Sequence, residues 1–369
     1  LPIVWQRNGA FVKEDPLWRF ISAEQKKGLA WGAAVKIVLP GGSGQVGAIL
    51  ARAFAAQGHE VVVLSRRSPP APWRVVTWDG ESVGPWAQEF DGADVVINLA
   101  GRSVNCRYTA RNRREIMDSR IKSTRAVGQA IGQARRPPPV WLQASTATIY
   151  AHRYDVGNDE ATGILGGLEL DAPAAWRFSI DVAKAWEQAA RETAPPHTRL
   201  VLLRSAMTMS PDRGGVFDTL LRLVRLGLGG TIGDGRQYMS WIHDRDFVRA
   251  VQWLIEHEEL SGAVNLAAPH PLPNAEFMAS LRVAAGVRVG LPATKWMLEI
   301  GTLLMRTESE LVLKSRRVVP GRLVESGFAF EFAHWRQAAP DLCQRVPDTA
   351  RLSHPQTPFN RAQSQPHLS

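Results

Sequence analysis

The chain has 369 residues, of which 45% are apolar and 21% charged, and a formal net charge of +9 at pH 7. That composition excludes a disordered or fibrous chain. No apolar run approaches the roughly 18–20 residues that span a bilayer, and no secretory signal stands at the start. The two cysteines, Cys106 and Cys343, lie far apart, which argues against a disulfide framework or a zinc site and fits a reducing cytoplasm.

In chain order, residues 1–34 show neither helical nor strand period, although Trp5, Trp18, Phe20 and Trp31 offer apolar area. They read as an extension upstream of the fold, with Val35 as a literal reading of an alternative start. The competing reading is an arm that packs on the core or on a partner through those aromatics.

From Val35 an alternation begins. VKIVLP (35–40), HEVVVLS (59–65), DVVINLA (94–100), PVWLQAS (139–145), RLVLLRS (199–205) and GAVNLAA (262–268) are short β-rich apolar runs. Helical stretches at 45–57, 110–134 and 174–192 follow the first, third and fourth of these runs. Buried strands alternating with helices predict a doubly wound parallel α/β sheet of Rossmann type. After residue 206 the rhythm changes. GGVFDTLLRLVRLGLGG reads as a helix closed by glycines, and 246–260 as an amphipathic helix with Asp246 near its start. Asn274 is the expected cap of a helix ending at Gly286, and 292–328 reads as mainly helical. The expected organisation is an extension (1–34), a dinucleotide-binding domain (35–205), a substrate lobe with a returning strand and a small, mainly helical C-terminal part (206–346), and a polar, Pro-rich disordered tail (347–369).

Gly41-Gly42-Ser43-Gly44-Gln45-Val46-Gly47 is a glycine turn between the first strand and the first helix. Glycine is needed where the chain turns sharply and where backbone must approach a pyrophosphate, and the helix N-terminus then faces the phosphates. An NAD enzyme usually ends its second strand on Asp or Glu; this chain has Ser65-Arg66-Arg67. A hydroxyl and guanidinium groups suit a 2′-phosphate, so the expected cofactor is NADP(H). Leu99-Ala100-Gly101, ending the third apolar run, would let backbone pass beside the nicotinamide. A dense basic stretch follows: Arg102, Arg107, Arg111, Arg113, Arg114, Arg120, Lys122 and Arg125, with Glu115 and Asp118 interleaved. It reads either as a solvated helix face or as a site for an anionic ligand such as a cofactor phosphate. No nucleic-acid-binding motif accompanies it.

GGSGQVG, INLAG, REIMDSRIKSTRA, RLGLGG…GDGRQYMSWIHDRD and NAEF…RRVVPGRLVESGFAFEF occur in this order. Together, over about residues 35–335, they resemble the atypical epimerase-like branch of the short-chain dehydrogenase/reductase superfamily, the YfcH or SulA-like family. The resemblance implies an extended Rossmann domain with a small substrate lobe. It also implies NADP contacts at Ser65, Arg66, Leu99, Ala100, Glu115, Arg120 and, in the loop after RLVLLRS, Thr208. The C-terminal part corresponds to a family segment of no assigned function.

Related reductases pair Tyr and Lys four residues apart, the lysine lowering the tyrosine pKa for proton exchange. None of the four tyrosines (108, 150, 154, 238) is followed by such a lysine. The resemblance puts Ser179 in the tyrosine position and Ala183 in the lysine position, with Lys184 one residue off, a helical rotation of about 100°. It puts Thr146 where a substrate-holding hydroxyl would sit. Tyr150 is either a proton donor without a lysine partner or an aromatic pocket wall. His243 reads as an acid or base, or as a structural histidine bonded near Asp246. Two function classes stay open: an NADP(H)-dependent oxidoreductase or epimerase acting on an unknown small molecule, with a homodimer as its oligomeric state, and a cofactor-binding sensor or assembly factor without turnover. Neither needs a membrane, a metal or nucleic acid.

Overall fold

The computed structural model describes residues 34–67, 70–169, 174–292 and 314–347. The expectations for residues 1–33, for the helical reading of 293–313 and for the tail from 348 lie outside the described residues.

The main sheet uses β1 (Lys36–Pro40), β2 (Glu60–Ser65), β3 (Arg74–Thr77), β4 (Val95–Asn98), β5 (Val140–Thr146), β6 (Arg199–Ser205) and, much later in the chain, β10 (Gly262–Leu266). Its order is β10-β6-β5-β4-β1-β2-β3, and every pairing is parallel. The order reverses between β1 and β4, and in an open parallel sheet a ligand crevice forms at such a reversal.

The apolar runs are continuous because both faces are covered. Ile37 and Leu39 of β1 point to one side, where they meet Leu50 and Phe54 of helix α1 (Gln45–Ala56) and Phe247 and Leu254 of α5 (Asp244–Glu256). Val38 points to the other, with Val127 and Ile131 of α2 (Ala110–Gln133) and Ala190 of α3 (Ala174–Thr193). Strand β3 is an addition to the sequence reading. Its burial runs from exposed ends to half-buried centre, so it carries no apolar run.

Short strands β7 (Met207–Met209) and β9 (Trp241–His243) pair in parallel beyond β6, while β8 (Tyr238–Met239) pairs antiparallel with β11 (Leu272–Pro273). A separate core joins α4 (Val216–Arg225), α6 (Asn274–Ala284) and, after the short α7 (Gly321–Glu325), α8 (Trp335–Arg345). Trp335 stacks on Phe277 at 4.0 Å and donates its indole N–H to the Phe277 carbonyl at 3.0 Å.

Three local expectations are corrected. The helix expected at 246–260 begins at Asp244. Asn274 does not cap α6: it is the first helical residue, and its Oδ1 accepts from Ile232 N at 2.9 Å, pinning the preceding loop instead. Thr208 lies in strand β7 and is buried, where a loop position was expected.

Candidate functional site

A cleft of about 250 Å³ opens at the reversal between β1 and β4. Gly41, Ser43 and Gly44 form one wall, and Leu99, Ala100 and Gly101 another. Gly41 has φ +76°, and a Cβ there would lie 2.6 Å from Ala100 Cα, so two backbones cross with no room for a side chain. Gly47 packs helix α1 onto the turn, since a Cβ would meet Gly42 Cα at 2.4 Å. Gly44 differs. Its Cβ would meet nothing nearer than Gly41 O at 3.6 Å, so its lack of a side chain keeps the cleft open rather than satisfying the fold. It is also the N-cap of α1, and the first-turn N–H groups of a helix have no intrahelical acceptor. A bare backbone wall ending on a helix N-terminus fits the pyrophosphate of a dinucleotide. Gln45, Val46 and Gly42 stand behind this wall. Val46 packs on the sheet core, and the buried Gln45 amide nitrogen lies against Gly215.

At the end of β2 the Ser65 hydroxyl donates to Ser43 Oγ at 2.9 Å and accepts from Arg67 N at 3.3 Å. Ser65 and Arg66 line the cleft. Arg66 and Arg67, both exposed, also flank a wider depression beside it.

The sequence reading missed the floor supplied after β3. Trp78, Asp79, Gly80 and Glu81 line the cleft. Asp79 turns the loop back by accepting N–H bonds from Glu81 (2.9 Å) and Ser82 (3.0 Å), which lower its pKa. Asp-Gly after a short β-branched run was the available signal. It also missed Asn98, whose Oδ1 accepts from Ala100 N at 3.1 Å while its amide donates to Gln143 at 2.9 Å. That fully buried pair sets the bend of the 99–101 wall.

Much of the basic stretch has protein partners. Glu115 pairs with Arg102 and with Arg111 (2.7 Å), Lys122 with Glu81 (3.0 Å) and Arg125 with Glu192 (3.3 Å). Arg120 sits over the Trp186 ring at 4.9 Å, donates to the Arg102 carbonyl at 3.0 Å, and has its pKa pushed down to about 10 by burial. It supports the wall at Gly101 from behind. Arg102, Ser119 and Ser123 are the members of this region that line the cleft.

Thr146 ends β5 and is half-exposed, its Oγ1 accepting from Thr148 N at 3.2 Å. Tyr150 is not beside it in the open. Only 2% exposed, its hydroxyl donates to Asn265 Oδ1 and accepts from Arg204 Nη1, both at 2.9 Å. Burial raises its pKa, with Arg204 acting in the opposite direction. Arg204 in turn grips Glu187 through two bonds of 2.8 and 2.9 Å, and Glu187 also accepts from Ser145 at 2.7 Å. Lys184 Nζ donates to the Gly166 carbonyl at 2.7 Å. His243 is fully buried. Its Nδ1 accepts from Arg245 N at 3.2 Å, capping α5, and its Nε2 meets Asp341 Oδ2 at 2.9 Å. The partner is therefore Asp341, not Asp246, whose carboxylate instead accepts from Glu331 N and Phe332 N, both at 2.8 Å.

Residues 293–342 match a domain of unknown function (DUF1731). The human epimerase family protein SDR39U1 is 30% identical over 302 residues, which is 81% of this chain and 96% of that protein. YfhF of Bacillus subtilis (strain 168) is 29% identical over 304 residues, 81% and 95% of the two chains. The crystal structure of human SDR39U1 (isoform 2) with NADPH matches with a TM-score of 0.72 at 28% identity, covering 84% of this chain and 99% of that one. A nucleoside-diphosphate sugar epimerase from Corynebacterium glutamicum matches with a TM-score of 0.64 at 25% identity, over 87% of this chain and 61% of that one. With residues 37–267 matching its family model, the chain belongs to the NAD dependent epimerase/dehydratase family, in a branch that carries the C-terminal domain of unknown function.

Proposed function

We propose that the chain is an NADP(H)-dependent oxidoreductase or epimerase of a small molecule, with residues 35–205 holding the cofactor and 206–346 forming the substrate side. The observation that carries the cofactor is the pairing of a bare Gly41–Gly44 wall with Ser65, Arg66 and Arg67 on its rim. Human SDR39U1, a relative along most of its length, was crystallised with NADPH. Bound NADP(H) would supply the hydride donor or acceptor. Gly44 and the start of α1 would receive the pyrophosphate, Ser65 and Arg66 the 2′-phosphate, and Leu99 to Gly101 would flank the nicotinamide half. Thr146, half-exposed at the carboxyl end of β5, would hold the substrate oxygen. Tyr150 is left out of proton transfer in this reading, because both bonds of its hydroxyl are made inside the core. Arg120, packed against Gly101, would support that wall from behind; Glu115 and Thr208 do not line the cleft.

A second reading, cofactor binding without turnover, is favoured by one observation: the Tyr150 hydroxyl is bonded to Asn265 and Arg204, and Lys184 Nζ to the Gly166 carbonyl. Calorimetric titration of the purified full chain with NADPH, followed by a small-molecule screen for NADPH oxidation, separates the two. Turnover that falls in Thr146→Val with unchanged NADPH affinity supports the enzyme. Tight binding with no turnover on any compound supports the second reading, and absence of NADPH binding overturns both.

A further inference from the structure

The cleft wall at Gly101 has a positive charge directly behind it. A Cβ on Gly101 would lie 3.2 Å from both Cγ and Cζ of Arg120, so the guanidinium packs on the Gly101 backbone. Gly101 lines the cleft, as do Ser119 and Ser123, which stand on either side of Arg120 along helix α2. Arg120 Nη1 donates to two carbonyls, Arg102 O at 3.0 Å and Ile116 O at 3.1 Å, and the guanidinium lies over the Trp186 ring. Carbonyls and a ring face fix the group in place without neutralising it.

Among the described residues no carboxylate pairs with Arg120. Glu115, five residues earlier, is taken by Arg102 and Arg111. Asp118, exposed two residues away, acts on Lys122 instead. The titratable side chain that acts on Arg120 is Tyr108, a phenol and not a carboxylate. Burial lowers the guanidinium pKa to about 10, which leaves it charged at neutral pH. Arg102, the other cation at this wall, has Glu115 as its counter-charge. The uncompensated charge at the wall is therefore that of Arg120, and a charge withdrawn from water acts on its surroundings with little screening.

The two redox states of NADP(H) carry the same phosphates and differ in the ring, which is cationic when oxidised and neutral when reduced. A fixed cation repels the first ring and leaves the second alone. We propose that Arg120 makes the site selective for the reduced cofactor: from behind Gly101 it opposes the charged nicotinamide of NADP+ and so favours NADPH. The inference rests on the reading of Leu99 to Gly101 as the nicotinamide wall. Linkage shifts the bound couple toward NADPH by the same factor. The selectivity serves an enzyme and a protein without turnover alike; in the second case the reduced fraction of the NADP(H) pool is the signal.

The test is calorimetric titration of the full chain with NADPH, with NADP+ and with 2′-phospho-ADP-ribose, which keeps every phosphate and lacks the ring. NADPH should bind roughly tenfold or more tightly than NADP+, and NADP+ should gain nothing over the ringless fragment. Arg120→Met should narrow the gap between the two redox states roughly fivefold or more, and Arg120→Lys, which keeps the charge, should preserve most of it. Arg66→Ala should weaken both states alike, because the 2′-phosphate is common to them, and leave the gap. Should Arg120→Met not fold, the native comparison decides: NADP+ gaining as much as NADPH over the fragment overturns the proposal. Equal affinities for NADPH and NADP+, or an undiminished gap in Arg120→Met, also overturn it, with the cofactor reading intact. Binding of neither state removes the cofactor reading itself and this proposal with it.

Discussion

Tyr150 and Arg204 are joined twice: a hydrogen bond of 2.9 Å links the hydroxyl to Nη1, and the guanidinium carbon lies 5.1 Å from the ring centroid. Tyr150→Phe leaves the buried Asn265 Oδ1 without its donor. It should therefore cost about 1–3 kcal/mol of stability, with NADPH affinity unchanged. Urea unfolding beside calorimetry measures both. Full stability with abolished turnover would restore Tyr150 as a proton donor.

Gly44→Ala separates ligand from fold. The added methyl meets no atom within 3.5 Å and φ is −74°, so stability should fall by about 1 kcal/mol or less, the scale of an N-cap change. NADPH affinity should fall at least tenfold, because the methyl enters the cleft. Gly41→Ala, in contrast, forces a collision with Ala100 at φ +76° and should impair folding itself. Retained affinity in Gly44→Ala would place the pyrophosphate elsewhere.

NADPH should bind at least tenfold more tightly than NADH. Losing charge-assisted bonds to a 2′-phosphate costs on the order of 1.5–3 kcal/mol. Arg66→Ala should remove most of that preference by weakening NADPH alone. Equal affinities for the two cofactors in the native chain would contradict the role given to Ser65 and Arg66.

His243 gives stability a pH dependence. Burial lowers its pKa below 6.5, against Asp244 and Asp341, which act to raise it. The fold thus holds the imidazole neutral, with Nδ1 accepting from Arg245 N and Nε2–H donating to Asp341. The unfolded chain takes up the proton more readily, so this contribution is present above about pH 6.5 and is lost as pH falls from there through the lowered folded pKa. His243→Gln should be less stable at pH 8 and show a smaller loss between pH 7 and pH 5. Denaturant midpoints across that range report it; an unchanged slope in the variant would assign the dependence to another group.

The sequence by itself determined the features whose cause is local. Ile37 to Leu39 and Val61 to Leu64 announce strands because both faces of each are buried, and the Gly41 to Gly47 turn is legible because a positive φ and a backbone crossing leave glycine no substitute. The serine hydroxyl and the two arginine charges at 65–67 stand in three adjacent letters. Strand β3 escaped because a four-residue edge strand with exposed ends and a half-buried centre shows neither an apolar run nor a strict alternation.

Only the tertiary structure decided what the polar residues do. Tyr150 reads alike as an acid or a wall until strand order brings Arg204 from β6 and Asn265 from β10 to its hydroxyl, 54 and 115 residues away. His243 found Asp341, 98 residues distant, rather than Asp246 three residues on, because helix α8 folds back against the start of α5. Lys314 and Arg316 reach Thr148 across more than 160 residues of chain. Helix period and turn chemistry are fixed within a few residues. A hydrogen-bond partner is fixed by which elements the buried core sets side by side, and no local window contains that choice.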